Sequence, residues 1–171
     1  MSPPFAETTI EINAPVALVW KIMLDVRQYP DWNPFIIRVE TPANVLSVGS
    51  RLVLHIRWAN GSGMRSAEKV TQIEPPTSTV RTRRRAVLAY RFNGWLHTLG
   101  LVRSTRLQWL EQDLGQPTTY RTREEFRGLL AAAVPLRDVQ DGFERHAQAL
   151  KVWAEQLRSA GAQGGYHRRK H

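Results

Sequence analysis

Residues 136–157 constrain the fold more than any other stretch of the chain. Leu136, Val139, Phe143, Ala147, Leu150, Ala154 and Leu157 recur at spacings of 3, 4, 4, 3, 4 and 3. That is the period of one helix face, sustained over about six turns. Pro135 suits the start of such a helix. Asp138 and Asp141 sit early, where the helix dipole favours anions. Gly161 is the expected stop, and residues 161–171, Gly-rich with a basic end, read as a disordered tail. A stripe of this length must be covered by other parts of the chain, and most of what precedes it reads as strand.

Thr8–Ile12 alternates polar and apolar residues and predicts a first strand. Asn13-Ala14-Pro15 then opens a helix whose apolar face carries Val16, Val19, Trp20 and Met23. Tyr29-Pro30-Asp31-Trp32-Asn33-Pro34-Phe35 is an aromatic, proline-punctuated segment, short enough for one helical turn or a loop. Strands are expected from Ile36, and from Leu52 through Trp58, where Leu52, Leu54, Ile56 and Trp58 alternate with Val53, His55 and Arg57. Asn60-Gly61-Ser62-Gly63 predicts a hairpin turn, and Met64 returns as a strand ending at Pro75-Pro76. A further strand lies within 79–93, then a loop over 94–101, then a hairpin of 103–111 and 118–127. Strands joined by short turns, without crossover helices, indicate an antiparallel α+β fold. One sheet facing one long helix must curve around it, a geometry that can leave an internal cavity.

Composition narrows the function mainly by exclusion. The chain has 171 residues and no Cys, so it has no disulfide scaffold, thiolate metal site or Cys nucleophile. Its longest apolar run, Leu129 to Leu136, is far too short to span a bilayer. The segment MSPPFAETTIEI shows no basic stretch followed by an apolar one, so the expected location is the cytoplasm. There is no P-loop, no G-x-S-x-G and no H-E-x-x-H. Gly61-Ser62-Gly63-Met64-Arg65-Ser66 lacks the third Gly of a dinucleotide fingerprint and lies between strands, so it reads as a turn. The five His are not spaced as metal ligands, and neither metal nor cofactor is expected.

The formal charge is +9 and unevenly placed: residues 1–80 balance, while 81–127 carry ten Lys/Arg against four Asp/Glu. The densest run is Arg81, Arg83, Arg84 and Arg85. Such a run could meet RNA or an anionic membrane surface. Successive strand residues alternate faces, so four Arg in five positions cannot all point inward. The run is therefore expected on the surface, outside any pocket, and nucleic acid is not the expected partner.

Several segments carry a family resemblance: Ile10-Glu11-Ile12-Asn13-Ala14-Pro15 leading to Val19-Trp20, then Tyr29-Pro30-Asp31-Trp32-Asn33-Pro34-Phe35, Val48-Gly49-Ser50-Arg51-Leu52, Arg123-Glu124-Glu125-Phe126-Arg127-Gly128-Leu129-Leu130 and Ala149-Leu150-Lys151. Over residues 8–158 the chain resembles the START/SRPBCC superfamily, in particular its bacterial polyketide cyclase/dehydrase-like branch. The resemblance implies one domain over residues 1–160 with a helix-grip fold. In that fold a curved antiparallel sheet of about seven strands wraps around the long C-terminal helix, with two short helices near the N-terminus. It also implies a deep pocket for a hydrophobic, aromatic or polyketide-like small molecule, in a monomer or homodimer. Some relatives promote aldol closure and dehydration of a poly-β-ketone chain; others carry lipids, isoprenoids or quinones without chemistry. Compared with the family pattern, about ten extra residues, including the Arg run, lie between Pro76 and Leu88.

The candidate ligand-binding residues are Trp32, Phe35, Trp58, Tyr90, Trp95, His97, Arg106, Gln108, Tyr120 and Glu124. The aromatic rings could stack on a ligand, and His97 could exchange a proton at a pocket mouth. Strand 103–111 poses a register problem. Hydrophobicity points Thr105, Leu107 and Trp109 inward; the family register points Arg106, Gln108 and Leu110 inward, and a one-residue slip exchanges the two. In the family register a buried Arg106 needs a partner, and Glu124 on the next strand is the natural one. A cyclase needs a shaped pocket and a donor near the enolate or leaving hydroxyl, for which Arg106, Tyr90 and Tyr120 are the candidate catalytic residues.

Overall fold

The computed structural model of the chain describes residues 2–80 and 83–167. Strand β1 (Phe5–Ile12) is followed by helix α1 (Val16–Leu24), a 3-10 turn (Val26–Gln28) and the single turn α2 (Tyr29–Trp32). Strands β2 (Ile36–Glu40), β3 (Arg51–Arg57), β4 (Gly63–Val80) and β5 (Arg83–Phe92) follow. A further helical turn, α3 (Trp95–Thr98), precedes β6 (Arg103–Asp113) and β7 (Thr118–Arg127). A 3-10 turn at Ala131–Ala133 leads into helix α4 (Leu136–His167). The seven strands form one antiparallel sheet in the order β1-β7-β6-β5-β4-β3-β2. The sheet curls around α4, which is the helix-grip arrangement with four α-helices among the described residues.

The helical stripe does what its period dictates. Val139, Phe143, Ala147, Leu150 and Ala154 are all buried, packed with Ile12, Val16, Val19 and Ile36 into one core. Leu136 packs at the edge of that core, while Leu157, at the far end, is exposed. The helix does not stop at Gly161. It continues to His167, and Gly161 is not among the glycines in a left-handed conformation. Without that backbone reversal a Gly only lowers helix stability by about 1 kcal/mol and does not end the helix. Residues 168–171, the end of the expected tail, lie outside the described residues.

Two further boundaries differ from the sequence reading. Strand β4 runs through Pro75-Pro76 to Val80, because the register slips between Glu74 and Thr77. A bulge of this kind removes the two prolines, which have no N–H, from the ladder. Beyond the prolines, Thr77, Ser78 and Val80 pair with Arg85, Arg84 and Arg83, so the described residues beside the Arg run extend the β4–β5 ladder. Residues 94–101, expected as loop, contain the turn α3.

On β6 the even residues Ser104, Arg106, Gln108 and Leu110 are buried, together with Thr118, Tyr120, Thr122 and Phe126 of β7. The inner face is therefore the polar one, and the register suggested by hydrophobicity alone is wrong here. Trp109 instead lies under the Arg121 guanidinium, 5.4 Å from its ring.

Candidate functional site

A cavity of about 360 Å³ lies between the concave face of the sheet and α4. Its apolar wall is built by Phe35, Leu54, Ile56, Trp58 and Phe92 from the strand side and by Val139 and Phe143 from α4. Leu96 of α3, Val102 and the segment carrying Leu130, Val134 and Pro135 close one side. The Phe35 ring stands 5.8 Å from Trp58 and 6.2 Å from Phe143. It can do so because residue 142 is Gly: a Cβ there would lie 2.2 Å from the Phe35 ring. Gly142→Ala should therefore push Phe35 towards the cavity. We expect a net loss of about 1 kcal/mol, as overpacking of roughly 1–3 kcal/mol outweighs the gain in helix propensity, with weaker ligand binding. Parallel urea unfolding and binding titrations check this.

The polar end of the cavity is set by one row of the sheet. Tyr90, Arg106 and Glu124 are direct neighbours across β5, β6 and β7. Glu68 lies opposite Phe92 on β4, one step along the same face. Ser66, Glu68, Tyr90, Ser104, Arg106 and Glu124 all line the cavity, and Arg106 is its one cation among the described residues. Arg106 is only 3% exposed. Its Nε donates to Thr122 Oγ1 at 2.9 Å, one terminal nitrogen donates to the Tyr120 hydroxyl at 3.5 Å, and the guanidinium lies 4.2 Å from the Phe143 ring centre. Burial works against its charge, but Tyr90, Tyr120 and Glu124 more than offset this and hold it firmly protonated.

Arg106 and Glu124 thus share a row of the inner face, as the family register implies, while the guanidinium makes its hydrogen bonds elsewhere. Thr122 and Tyr120 take the guanidinium's hydrogen bonds, and Glu124 acts on it through space. Burial raises the Glu124 carboxyl, while Ser104 and Arg106 oppose the rise. Glu68 is pushed up to about 8, first by burial and then by the neighbouring Glu124 charge, against the Ser66 hydroxyl and Arg106. The Ser66 hydroxyl donates to Glu68 Oε1 at 2.6 Å. Tyr90 and Tyr120 are raised by burial despite Arg106, so both are neutral donors.

The remaining candidates fall in three places. Phe35, Trp58, Tyr90, Arg106 and Glu124 meet at the cavity. Tyr120 and Gln108 lie buried behind it, the Tyr120 hydroxyl donating to Gln108 Oε1 at 2.8 Å, so they support Arg106 and do not line the wall. Trp32, Trp95 and His97 are elsewhere. Trp32 turns under α4, 5.0 Å from Tyr29 and 5.4 Å from His146, because the one-turn helix α2 rotates it away from Phe35. Trp95 is 68% exposed. His97 lies over the outer face of the sheet with Arg91, Arg103 and Thr105, and burial and those two cations lower its pKa. The turn α3 aims Leu96, not its neighbours, at the cavity.

Two buried ionisable groups escaped the sequence reading. Glu68 was not among the candidates, although its alternation with Ser66 and Val70 places it on the buried inner face. His146 sits on the core side of α4, its Nδ1 2.8 Å from Asn33 Nδ2. Asn33 Oδ1 accepts from the N–H groups of Phe35 and Ile36, which orients the amide as donor and leaves the imidazole proton on Nε2. Burial, then Arg106, hold this His neutral.

Residues 5–155 match the family model described as "Polyketide cyclase / dehydrase and lipid transport". The chain belongs to this family. Among curated proteins there is no match. Three solved structures show the shared fold. The major latex-like protein 151 of Panax ginseng is 11% identical, with a TM-score of 0.67, covering 90% of this chain and 99% of that one. A START superfamily protein from Mycobacterium smegmatis is 21% identical, with a TM-score of 0.58, covering 90% and 98%. The di-domain ARO/CYC StfQ of the steffimycin biosynthetic pathway is 11% identical, with a TM-score of 0.66, covering 91% of this chain and 52% of that protein. Among the described residues of this family member, no helix is long and apolar enough to cross a membrane, and no group of His, Asp or Glu could hold a metal ion.

Arg83, Arg84 and Arg85 are exposed and far along β5 from the cavity, while Arg81 lies outside the described residues. Arg83 pairs with Glu111 at 2.7 Å and Arg85 approaches the same carboxylate at 3.8 Å. Exposed pairs of this kind contribute at most about 1 kcal/mol. Replacing Arg83 and Arg85 with Gln should leave small-ligand affinity unchanged within about twofold, which an equilibrium titration of both forms checks.

Proposed function

We propose that this chain binds a hydrophobic, aromatic or polyketide-like small molecule in the cavity between sheet and α4, and promotes its cyclisation or dehydration. The observation that carries this reading is the cavity itself. It is an apolar, aromatic-walled space large enough for two or three fused rings, with all its charged groups gathered at one end. A ring system lying against Phe35, Trp58 and Phe143 would place its oxygens at Arg106 and Tyr90. There the guanidinium stabilises a developing enolate and the Tyr90 phenol donates to a carbonyl or leaving hydroxyl. The walls would bring two carbons of a flexible chain into contact, which is most of what an aldol closure requires.

A polycyclic aromatic polyphenol should quench the Trp58 fluorescence saturably at micromolar concentration, about −8 kcal/mol or better. Val139→Trp, which fills the cavity from α4, should abolish the quenching. Unsaturable quenching, or quenching untouched by Val139→Trp, would place binding elsewhere. Turnover of a poly-β-ketone substrate separates a cyclase from a carrier, since a carrier shows saturable binding alone.

A further inference from the structure

Two carboxyls and one guanidinium share the polar end of the cavity, and that stoichiometry has a chemical consequence. Glu68 is 7% exposed and Arg106 3% exposed, and both line the same apolar space as Glu124. The groups facing the two carboxyls are Ser66 from β4, Tyr90 from β5, Ser104 and Arg106 from β6, and the uncharged Val139 and Phe143 from α4. On α4, His146 packs against Tyr29, Trp32 and Tyr120 behind the wall, and Arg145 lies over the Phe35 ring with its guanidinium bonded to Asp141 and to the backbone of Pro34 and Arg57. One buried cation balances one carboxylate. A second carboxylate would be an uncompensated buried charge, costing several kcal/mol, and such a group takes up a proton instead.

We propose that Glu68 and Glu124 hold one proton between them, and that Glu68 presents it to a carbonyl oxygen of the bound molecule, so that the cavity selects neutral ketones and quinones over hydrocarbons of the same shape. Glu124 lies directly across the ladder from Arg106 and is its counterion. Glu68 lies one step further along the face, and its Oε1 already accepts from Ser66. Its remaining oxygen carries the proton. The raised carboxyl pKa, about 8, agrees with this arrangement. No bond is made or broken: a neutral O–H donates to a neutral carbonyl, and binding is linked to keeping that proton. The same proton would serve as the acid that assists loss of a hydroxyl. The inference rests on the cavity reading above, and the test separates the two.

9-Fluorenone and fluorene share one ring skeleton, differ in the ketone and have no ionisable group near neutrality. Equilibrium dialysis of both against the full-length protein should show fluorenone binding about tenfold more tightly near pH 6.5, a difference of about 1.4 kcal/mol. The affinity ratio should fall severalfold as pH rises through about 8 to 9.5, because deprotonation removes the Glu68 donor and leaves Arg106 and Tyr90. Glu68→Gln, which keeps the shape but cannot ionise, should make the ratio independent of pH. A wild-type ratio of one at pH 6.5, a ratio that does not change with pH, or a pH-dependent ratio surviving in Glu68→Gln would each overturn the proposal. If fluorene binds and fluorenone binds no better, the shared proton is refuted while the cavity reading stands. If neither compound binds, the cavity reading itself fails, and this proposal with it.

Discussion

Glu68→Gln is expected to make the protein more stable, by about 3 kcal/mol near pH 8.5, and to give no gain below about pH 4. The Glu68 carboxyl is pushed up to about 8 in the folded chain from an ordinary value of 4.5. The unfolded chain ionises this group as pH passes about 4.5, while the folded chain keeps it protonated until about 8. Folded stability is therefore lost progressively across that window as pH rises, at about 1.4 kcal/mol per unit of pKa difference. The ceiling of roughly 5 kcal/mol is lowered because Arg106 and Glu124 readjust when Glu68 changes. Glutamine removes the penalty and still accepts from Ser66. Urea unfolding of both forms near pH 4, 6 and 8.5 checks this, and equal midpoints near pH 8.5 would show that Glu68 is not held in an unfavourable site.

Arg106→Met should act in the opposite sense. The methionine replaces the aliphatic stem against Phe143, but the donors to Thr122 and Tyr120 are gone and two carboxyls lose the one cation that lines the cavity among the described residues. Breaking a buried charge arrangement from one side costs about 3–5 kcal/mol, and that loss is expected near pH 8.5. It should shrink towards about 1 kcal/mol as pH falls below 4.5, because protonated carboxyls no longer need the cation. Affinity for 9-fluorenone near pH 8.5 should also fall, since the guanidinium donor to the ketone oxygen is gone. The same denaturation series and the same dialysis measure both effects. A pH-independent loss of stability would mean that Arg106 contributes packing and hydrogen bonds but no charge balance.

The parts of this molecule legible in its sequence are those governed by a single period. The stripe from Leu136 to Ala154 could only be a long helix with one buried face, and the alternation of Leu52, Leu54 and Ile56 could only be a strand. The inward turn of Arg106 was not legible from hydrophobicity, which favoured Leu107 and Trp109. It followed from the family resemblance, and the physical reason is that Thr122, Tyr120 and Phe143 together satisfy a guanidinium in the core. Trp32 was misplaced because a one-turn helix rotates neighbouring aromatics to opposite sides, and nothing in Tyr29–Phe35 says which ring faces the cavity. Trp95 and His97 failed for the same reason at α3, where only Leu96 turns in. Glu68 was hidden because a Glu between Ala67 and Lys69 on a strand reads as solvated. Its partner across space, Glu124, is 56 residues away in sequence, and only the sheet order brings them together.

As proposed, the space between the sheet and α4 is a ligand site with an apolar body and one polar end. A crystal structure of the protein grown with 9-fluorenone tests it most directly. The ring system is expected in the cavity against Phe35, Trp58 and Phe143, with its ketone oxygen directed at Glu68 and Arg106. Fluorenone bound only on the outer surface, or in the cavity with its ketone turned towards Leu96 and Leu130, would contradict it.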